Sequence, residues 1–144
     1  MTDTTRADVA IVGAGPAGAA AAITLARAGR SVVVLDKATF PRDKICGDGL
    51  TTGALRILEE LGVQPKAVPS WTEVDDIHVV SPSGHQATFP HPRGRGQFAA
   101  VTRRTDLDDA IVDQAREVGA KVVEGVEVTG ATEGPDEVIL TLGD

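Results

Sequence analysis

The sequence is poor in cysteine and in positive charge, and it contains no long hydrophobic run. Its one cysteine, Cys46, can form no internal disulfide, which fits a cytoplasmic protein. With 14 lysines and arginines against 21 acidic residues, the formal net charge is −7, which argues against binding nucleic acid through a basic surface. The longest apolar stretch, Ala17–Ala26, is too short to cross a bilayer, and the acidic start does not fit a signal peptide. The three histidines lack the spacing of metal ligands.

The 144 residues, 42% of them hydrophobic, suffice for one ordinary domain with a core. Its clearest segment has the order strand, glycine-rich turn, helix, strand and acid. Val9–Val12 has the composition of a buried parallel strand, and the β-branched run Ser31–Leu35 predicts a second strand. An alanine-rich helix is predicted over Pro16–Ala28, with Gly29 ending it. Asp36 closes the unit.

The turn matches the pattern GxGxxG with Gly13, Ala14, Gly15, Pro16, Ala17 and Gly18. Gly13 allows the tight turn, Gly15 lets the backbone approach a pyrophosphate, and Gly18 lets the helix pack closely on the strand. The helix N-terminus points N–H groups at the phosphates, and Asp36 lies where a carboxylate can accept both hydroxyls of an adenosine ribose. A glycine-rich turn in some other α/β protein is the alternative, and the matching strand, helix and acid disfavour it.

The remaining sequence predicts two further helices, two hairpins and a return to the parallel sheet. Helical spacing covers Leu50–Leu61 and Asp106–Val118, the latter capped by Thr105 or Asp106. Lys121–Glu124 follows a helix, so we expect it to join the parallel sheet. The other segments are predicted as a loop over Ala38–Gly49, a hairpin turning at Ser81–Gly84, a basic loop over Pro90–Gly96, a strand over Phe98–Thr102, and a hairpin of Val126–Thr129 with Val138–Leu142.

These elements predict an α/β fold with a Rossmann-like parallel sheet and an inserted antiparallel excursion over about residues 72–100. Hairpins inserted between pieces of a parallel sheet are unusual for a plain NAD-binding domain and are typical of two-domain flavoproteins. We therefore expect residues 1–144 to form the N-terminal portion of a FAD- or NAD(P)-binding domain, truncated relative to the full flavoprotein and without its substrate domain.

Two further motifs carry a family resemblance. The loop after Asp36 contains Pro41-Arg42-x-Lys44-x-Cys46-Gly47-Asp48-Gly49-Leu50, and a strand-to-helix junction contains Arg104-Thr105-Asp106-Leu107-Asp108. With the glycine motif, these runs resemble the geranylgeranyl reductase family of FAD-dependent oxidoreductases, and within it the members that saturate a prenyl chain of menaquinone. The Cys-Gly-Asp-Gly element is the specific part, because the other two motifs occur across the wider flavoprotein group.

The resemblance implies that FAD binds in an extended form and that reduced flavin gives a hydride to a carbon–carbon double bond of an isoprenoid lipid. It implies NAD(P)H or a ferredoxin as electron donor, and a cytoplasmic enzyme with peripheral contact at the inner face of a membrane. Cys46 is the candidate catalytic residue. The implied cofactor-binding residues are Gly13, Ala14, Gly15, Pro16, Ala17, Gly18, Asp36, Lys37, Arg42, Lys44, Cys46, Gly47, Gly49, Arg104 and Val128. The family carries a second flavin motif with a Gly-Asp pair after a later strand, and we expect that motif to lie beyond these 144 residues.

Several alternatives stay open at this point. Cys46 is either a group beside the flavin or a buried small hydrophobe. Arg42 and Lys44 neutralise a pyrophosphate or are solvated loop charges, and Asp48 is favoured as a helix N-cap over a catalytic acid. Arg104 is preferred to Arg103 by the motif register. For the whole protein, a FAD-dependent monooxygenase or halogenase is one alternative function, and a non-catalytic nucleotide-binding fragment of a truncated or split flavoprotein is another.

Overall fold

The computed structural model describes residues 5–143, so the ends of the predicted domain, residues 1–4 and 144, lie outside the described residues. In chain order the regular elements of the described residues are β1 Val9–Val12, α1 Pro16–Arg27, β2 Val32–Leu35, β3 Gly49–Leu50, α2 Thr52–Leu61, β4 Thr72–Glu73, β5 Asp76–Val80, β6 Gln86–Pro90, β7 Ala100–Val101, α3 Arg104–Glu117, β8 Lys121–Val123, β9 Val128–Glu133 and β10 Val138–Leu142. The predicted α/β class is confirmed.

The predicted parallel sheet is present, with strand order β1-β2-β8. Val9 pairs with Val32, and Val33 pairs with Lys121, both in parallel register. All four residues of β2 are buried, as expected for the middle strand of a parallel sheet. β1 lies at one edge, and Val12 is 60% exposed, so the continuous burial predicted for Val9–Val12 holds only in part. Helices α1 and α3 pack on each other and on this sheet.

The core lies between these helices and the sheet. Ile23 of α1, Val34 of β2 and Val112 of α3 are completely buried there. α2 adds Leu58 and Leu61 to the same apolar cluster. The helical spacing of apolar residues therefore predicted the buried helix faces correctly. The apolar cluster holds α1 and α3 side by side on the parallel sheet.

The other strands pair antiparallel, in the order β3-β7-β4 and as the hairpins β5-β6 and β9-β10. This confirms the inserted antiparallel hairpin of the predicted fold class. Strand β10 has the predicted bounds, whereas β9 differs from the predicted Val126–Thr129 because it begins at Val128 and extends to Glu133. Their pairing spans Val138 with Glu133 and leaves Gly134, Pro135 and Asp136 at the turn.

Two predicted helix starts are wrong. Gly49 and Leu50 pair with Val101 and Ala100 as strand β3, so α2 begins only at Thr52. The N-cap is therefore Thr51, whose hydroxyl accepts the N–H of Ala54 at 3.4 Å, and Asp48 does not cap the helix.

Helix α3 begins two residues earlier than its predicted start, because the N-cap is Arg103 and neither Thr105 nor Asp106 fills that position. The Arg103 side chain makes no capping hydrogen bond. The backbone N–H of Arg103 donates to the hydroxyl of Ser70 at 2.9 Å, and Ser70 lies far away in the sequence.

Candidate dinucleotide-binding site

The glycine-rich loop joins β1 to α1 at the carboxyl end of the parallel sheet. Gly13 has φ +99°, a conformation that favours glycine, and its N–H donates to the carbonyl of Leu35 at 2.8 Å. An added Cβ at Gly18 would lie 1.9 Å from the Gly13 carbonyl oxygen and 3.3 Å from Cγ2 of Ile11. The roles predicted for Gly13 and Gly18, a tight turn and a close helix–strand contact, are thus visible in the geometry.

The first turn of α1 presents unpaired backbone donors to this loop. The N-cap is Gly15, and no side chain caps the helix. Pro16 occupies the first turn, where its missing N–H costs nothing. The N–H groups that open a helix have no acceptor within it, and the helix dipole adds positive partial charge. This end of α1 therefore suits an anion such as a phosphate.

Asp36 lies beside the loop, directly after β2. It is 9% exposed, and its Oδ2 accepts the N–H of Ala14 at 2.6 Å while its Oδ1 accepts the N–H of Ala38 at 2.8 Å. Each carboxylate oxygen keeps a second lone pair, so the group can still accept hydroxyls. The sequence placed this acid next to the glycine loop correctly, and its contact with a ribose stays a prediction.

A cluster of two partly buried arginines and one buried aspartate lies beside the glycine loop. Asp108 of α3 is completely buried, and Arg104 donates to it twice, through Nε to Oδ1 and Nη2 to Oδ2, each at 2.8 Å. Nη1 of Arg42 lies 3.5 Å from Oδ2 of Asp108. The Arg42 guanidinium also lies 4.9 Å from the ring centroid of Phe40, and its Nη2 is 3.4 Å from where a Cβ on Gly15 would be.

The exposure of these arginines decides two of the open alternatives. The Arg42 side chain is 16% exposed, so it is not a solvated loop charge. Arg103 is 75% exposed whereas Arg104 is 12% exposed, which agrees with the register that selected Arg104. The hydrogen bonds that Arg104 donates to the Asp108 carboxylate raise the pKa of Arg104 above its ordinary value. Burial opposes this shift, and the neighbouring Cys46 side chain adds to it.

Cys46 is exposed, so its alternative as a buried small hydrophobe is wrong. It lies on the loop next to the Arg104 guanidinium. An added Cβ on Gly47 or Gly49 would meet nothing within 4 Å, so this part of the loop borders open space. Lys44 is exposed, and no ion pair of it is found within residues 5–143.

Lys37 and Val128 lie at the Asp36 end of the site rather than at the arginine cluster. The Val126 N–H donates to the carbonyl of Asp36 at 3.0 Å, which places the approach to β9 beside this acid. Lys37 is exposed, with its Nζ 3.8 Å from Oε1 of Glu127. The predicted residues therefore form a row from Val128 and Asp36, through the glycine loop, to Arg42, Arg104 and Cys46.

The sequence analysis missed Asp108 as a site residue. The spacing of four between Arg104 and Asp108 does indicate that both lie on one helix face. The burial of the Asp108 carboxylate and its contact with Arg42 depend on the tertiary fold, so they could not be predicted from that spacing.

The row fits the ADP half of FAD in chemistry and in shape. The glycine loop is a cradle that side chains would fill, the helix end and Arg42 supply positive charge, and Asp36 supplies hydroxyl acceptors. Among residues 5–143, no group of three or more His, Cys, Asp or Glu side chains could hold a metal ion. No helix in that range is long and apolar enough to cross a membrane.

Residues 6–142 match the protein family described as FAD binding domain. A menaquinone reductase of Mycolicibacterium smegmatis is 47% identical over 132 residues, covering 89% of this chain and 31% of that protein. A digeranylgeranylglycerophospholipid reductase of Methanoculleus marisnigri is 32% identical over 119 residues, covering 81% of this chain and 28% of that protein.

Among solved structures, a flavin-dependent brominase matches with a TM-score of 0.79 and 28% identity, over 97% of this chain and 34% of the brominase chain. The chain thus spans about a third of the length of the proteins it matches.

Proposed function

The chain belongs to the FAD binding domain family, and we propose from this that it forms the ADP-binding part of a FAD-dependent oxidoreductase that reduces carbon–carbon double bonds of an isoprenoid chain. One observation carries the cofactor assignment. The Asp36 carboxylate accepts the Ala14 N–H, so a hydroxyl acceptor and an uncapped helix N-terminus lie side by side. The 47% identity to a menaquinone reductase supports the isoprenoid substrate, either the prenyl chain of a menaquinone or a geranylgeranyl chain.

In this proposal the residues of the chain bind the FAD cofactor and hold it in position. Asp36 accepts ribose hydroxyls, the amides at the start of α1 hold the pyrophosphate, and Arg42 balances its charge. Lys37 and Val128 border the adenosine, and Arg104 reaches the ribose or the pyrophosphate. Cys46, whose side chain is exposed, lies on the flavin side. When bound, FAD supplies the hydride, and the protein groups position and tune it. The electron donor is NAD(P)H or a ferredoxin.

A second function has specific support, because a flavin-dependent brominase shares the fold of 97% of this chain at 28% identity. A halogenase or monooxygenase requires molecular oxygen to re-oxidise its flavin productively, whereas a prenyl reductase passes the electrons to an alkene. The run Cys46-Gly47-Asp48-Gly49 favours the reductase, since it matches that family's motif and has no evident purpose in a hydroxylase. A non-catalytic nucleotide-binding fragment is the third hypothesis, and it predicts FAD binding without either reaction.

The test uses the full-length protein reconstituted with FAD, reduced without oxygen and mixed with a menaquinone or a geranylgeranyl lipid. We expect the lipid to re-oxidise the flavin anaerobically and to gain hydrogen at a double bond. Re-oxidation only on adding oxygen with halide or an aromatic substrate would support the second function. Bound flavin with no acceptor at all would support the third.

The site itself is tested by Gly15→Val in that protein. A valine there would occupy the pyrophosphate position and push against the Arg42 guanidinium 3.4 Å from its Cβ, so FAD binding should be lost. Gly53→Ala is the matched control, because Gly53 is a helical glycine whose added Cβ would meet nothing nearer than 3.8 Å. Unchanged FAD titration of Gly15→Val would place the cofactor elsewhere.

A further inference from the structure

Asp108 is completely buried, yet nothing in the reaction proposed above uses it. Its charge is balanced by two guanidinium groups from two separate segments. Arg104 comes from its own helix and binds it through two hydrogen bonds of 2.8 Å, and Arg42 comes from the loop after β2 and lies 3.5 Å away. Burying a carboxylate is costly unless it is paired and hydrogen-bonded, so the arrangement requires both α3 and the loop to be in place.

The cluster fixes Arg42 over the glycine loop. The Arg42 guanidinium lies against the Asp108 carboxylate and the Phe40 ring, and its Nη2 borders the space that a side chain at Gly15 would occupy. A long, flexible side chain is thereby held in one orientation before any ligand arrives. Preorganisation of this kind improves affinity because the ligand no longer has to order the side chain.

We propose that Asp108 is a positioning residue for the cofactor's diphosphate, which holds Arg42 and Arg104 as a preformed pair of guanidinium groups at the open side of the glycine loop. This inference rests on the proposed function, since it concerns how the same site takes a phosphate-bearing ligand. Two guanidinium groups against one carboxylate leave the cluster with a net positive charge. The nitrogens that do not face Asp108, Nη1 of Arg104 and Nη2 of Arg42, keep N–H groups that can donate to phosphate oxygens.

Charge alone and positioning predict opposite results for Asp108→Asn. Removing a negative charge beside the loop would tighten the binding of an anion if only net charge mattered. If Asp108 acts by orientation, the same substitution releases Arg42 and weakens the binding of phosphate-bearing ligands. The sign of the change in affinity therefore separates the two explanations.

The experiment titrates the full-length apoprotein with FAD, ADP and adenosine. For Asp108→Asn we expect the affinity for FAD and ADP to fall by about tenfold or more, as for other charged pairs with phosphate, and the affinity for adenosine to stay unchanged. Asp113→Asn is the matched control, because it makes the same charge change on the same helix in an exposed pair with Arg116 at 2.7 Å. It should change neither affinity.

Arg42→Lys tests the same inference while keeping the buried carboxylate and its two hydrogen bonds from Arg104, and it carries the test if Asp108→Asn does not fold. Lysine keeps the positive charge but lacks the planar fork that spans Asp108, Phe40 and Gly15. We expect weaker FAD and ADP binding with an unchanged melting temperature of the apoprotein. If both residues act through the same contact, the double variant Asp108→Asn/Arg42→Lys should bind FAD and ADP only slightly more weakly than whichever single variant binds them less tightly.

Three results separate the two proposals. ADP binding by Asp108→Asn that equals or exceeds wild type would overturn the positioning role. So would unchanged FAD binding by Arg42→Lys. A wild-type protein that binds neither FAD nor ADP would overturn the proposed function itself, and the positioning role with it.

Discussion

At position 18 the contact between helix α1 and strand β1 leaves no room for a side chain. A Cβ there would lie 1.9 Å from a backbone oxygen, which cannot move aside as the end of a flexible side chain can. Gly18→Ala should therefore destabilise the protein by about 1–3 kcal/mol or more and shift the start of the helix away from the loop. Denaturant unfolding and FAD titration of the full-length protein measure both effects.

The control for this prediction is again Gly53→Ala. Gly53 lies in the first turn of α2, and an added Cβ would meet only the Thr51 hydroxyl at 3.8 Å. Alanine in an open helical position stabilises by about 0.5–1 kcal/mol relative to glycine. Opposite signs for the two glycine-to-alanine changes are expected, and a neutral Gly18→Ala would contradict the close packing seen here.

Cys46 is predicted to matter to reduction and not to folding. Its side chain is exposed, so Cys46→Ser should change the free energy of unfolding by no more than about 1 kcal/mol. The thiol lies beside the Arg104 guanidinium, and a positive neighbour favours a reduced, anionic flavin. We therefore expect slower anaerobic re-oxidation of the flavin by a prenyl substrate, with FAD content and melting temperature unchanged. Equal rates would remove Cys46 from the chemistry and favour the monooxygenase hypothesis.

At the scale of single elements, the start of α2 offers a direct comparison of two candidate caps. Thr51 accepts the Ala54 N–H, whereas the Asp48 side chain lies before the short strand β3 and is exposed. Thr51→Ala should cost about 0.5–2 kcal/mol, toward the lower end because the bond is long at 3.4 Å. Asp48→Ala should change stability by about 0.5 kcal/mol or less, as exposed positions do. If chemical unfolding showed a larger loss of unfolding free energy for Asp48→Ala than for Thr51→Ala, Asp48 would be the N-cap, as first predicted.

The same region shows what local sequence can and cannot predict. The parallel strands, α1 and the hairpin turns follow from runs, spacing and glycines that act within a few residues. The start of α2 does not, because Gly49 and Leu50 become a strand only through pairing with residues 100 and 101. The N-cap of α3 likewise depends on Ser70, over thirty positions away.

The candidate site divides in the same way. Gly13, Gly18 and Asp36 could be assigned from the motif, since each role depends on the adjacent strand and helix. The burial of Arg42 could not, because a loop arginine is ordinarily solvated and only the fold brings Asp108 within 3.5 Å of it. Asp108 escaped notice for the same reason.

At the scale of the whole molecule, this chain spans about a third of the length of its relatives. In the proposed binding mode, the row from Val128 to Arg42 binds the ribose and the diphosphate, and the segment around Cys46 extends toward the flavin ring. Tests of isoprenoid binding and of electron transfer to the flavin therefore require the full-length protein.

The proposed substrate makes a final prediction about that protein. An isoprenoid tail partitions into the membrane, so the enzyme must bind the bilayer surface to reach it. The net charge of −7 on this part gives it no electrostatic attraction to anionic lipids. We expect a reversible, peripheral association, with the protein released from isolated membranes by high salt or carbonate. An integral protein of the same membranes serves as the control, since it should stay in the pellet. Recovery of the full-length protein only in detergent would contradict the prediction and point to an anchor.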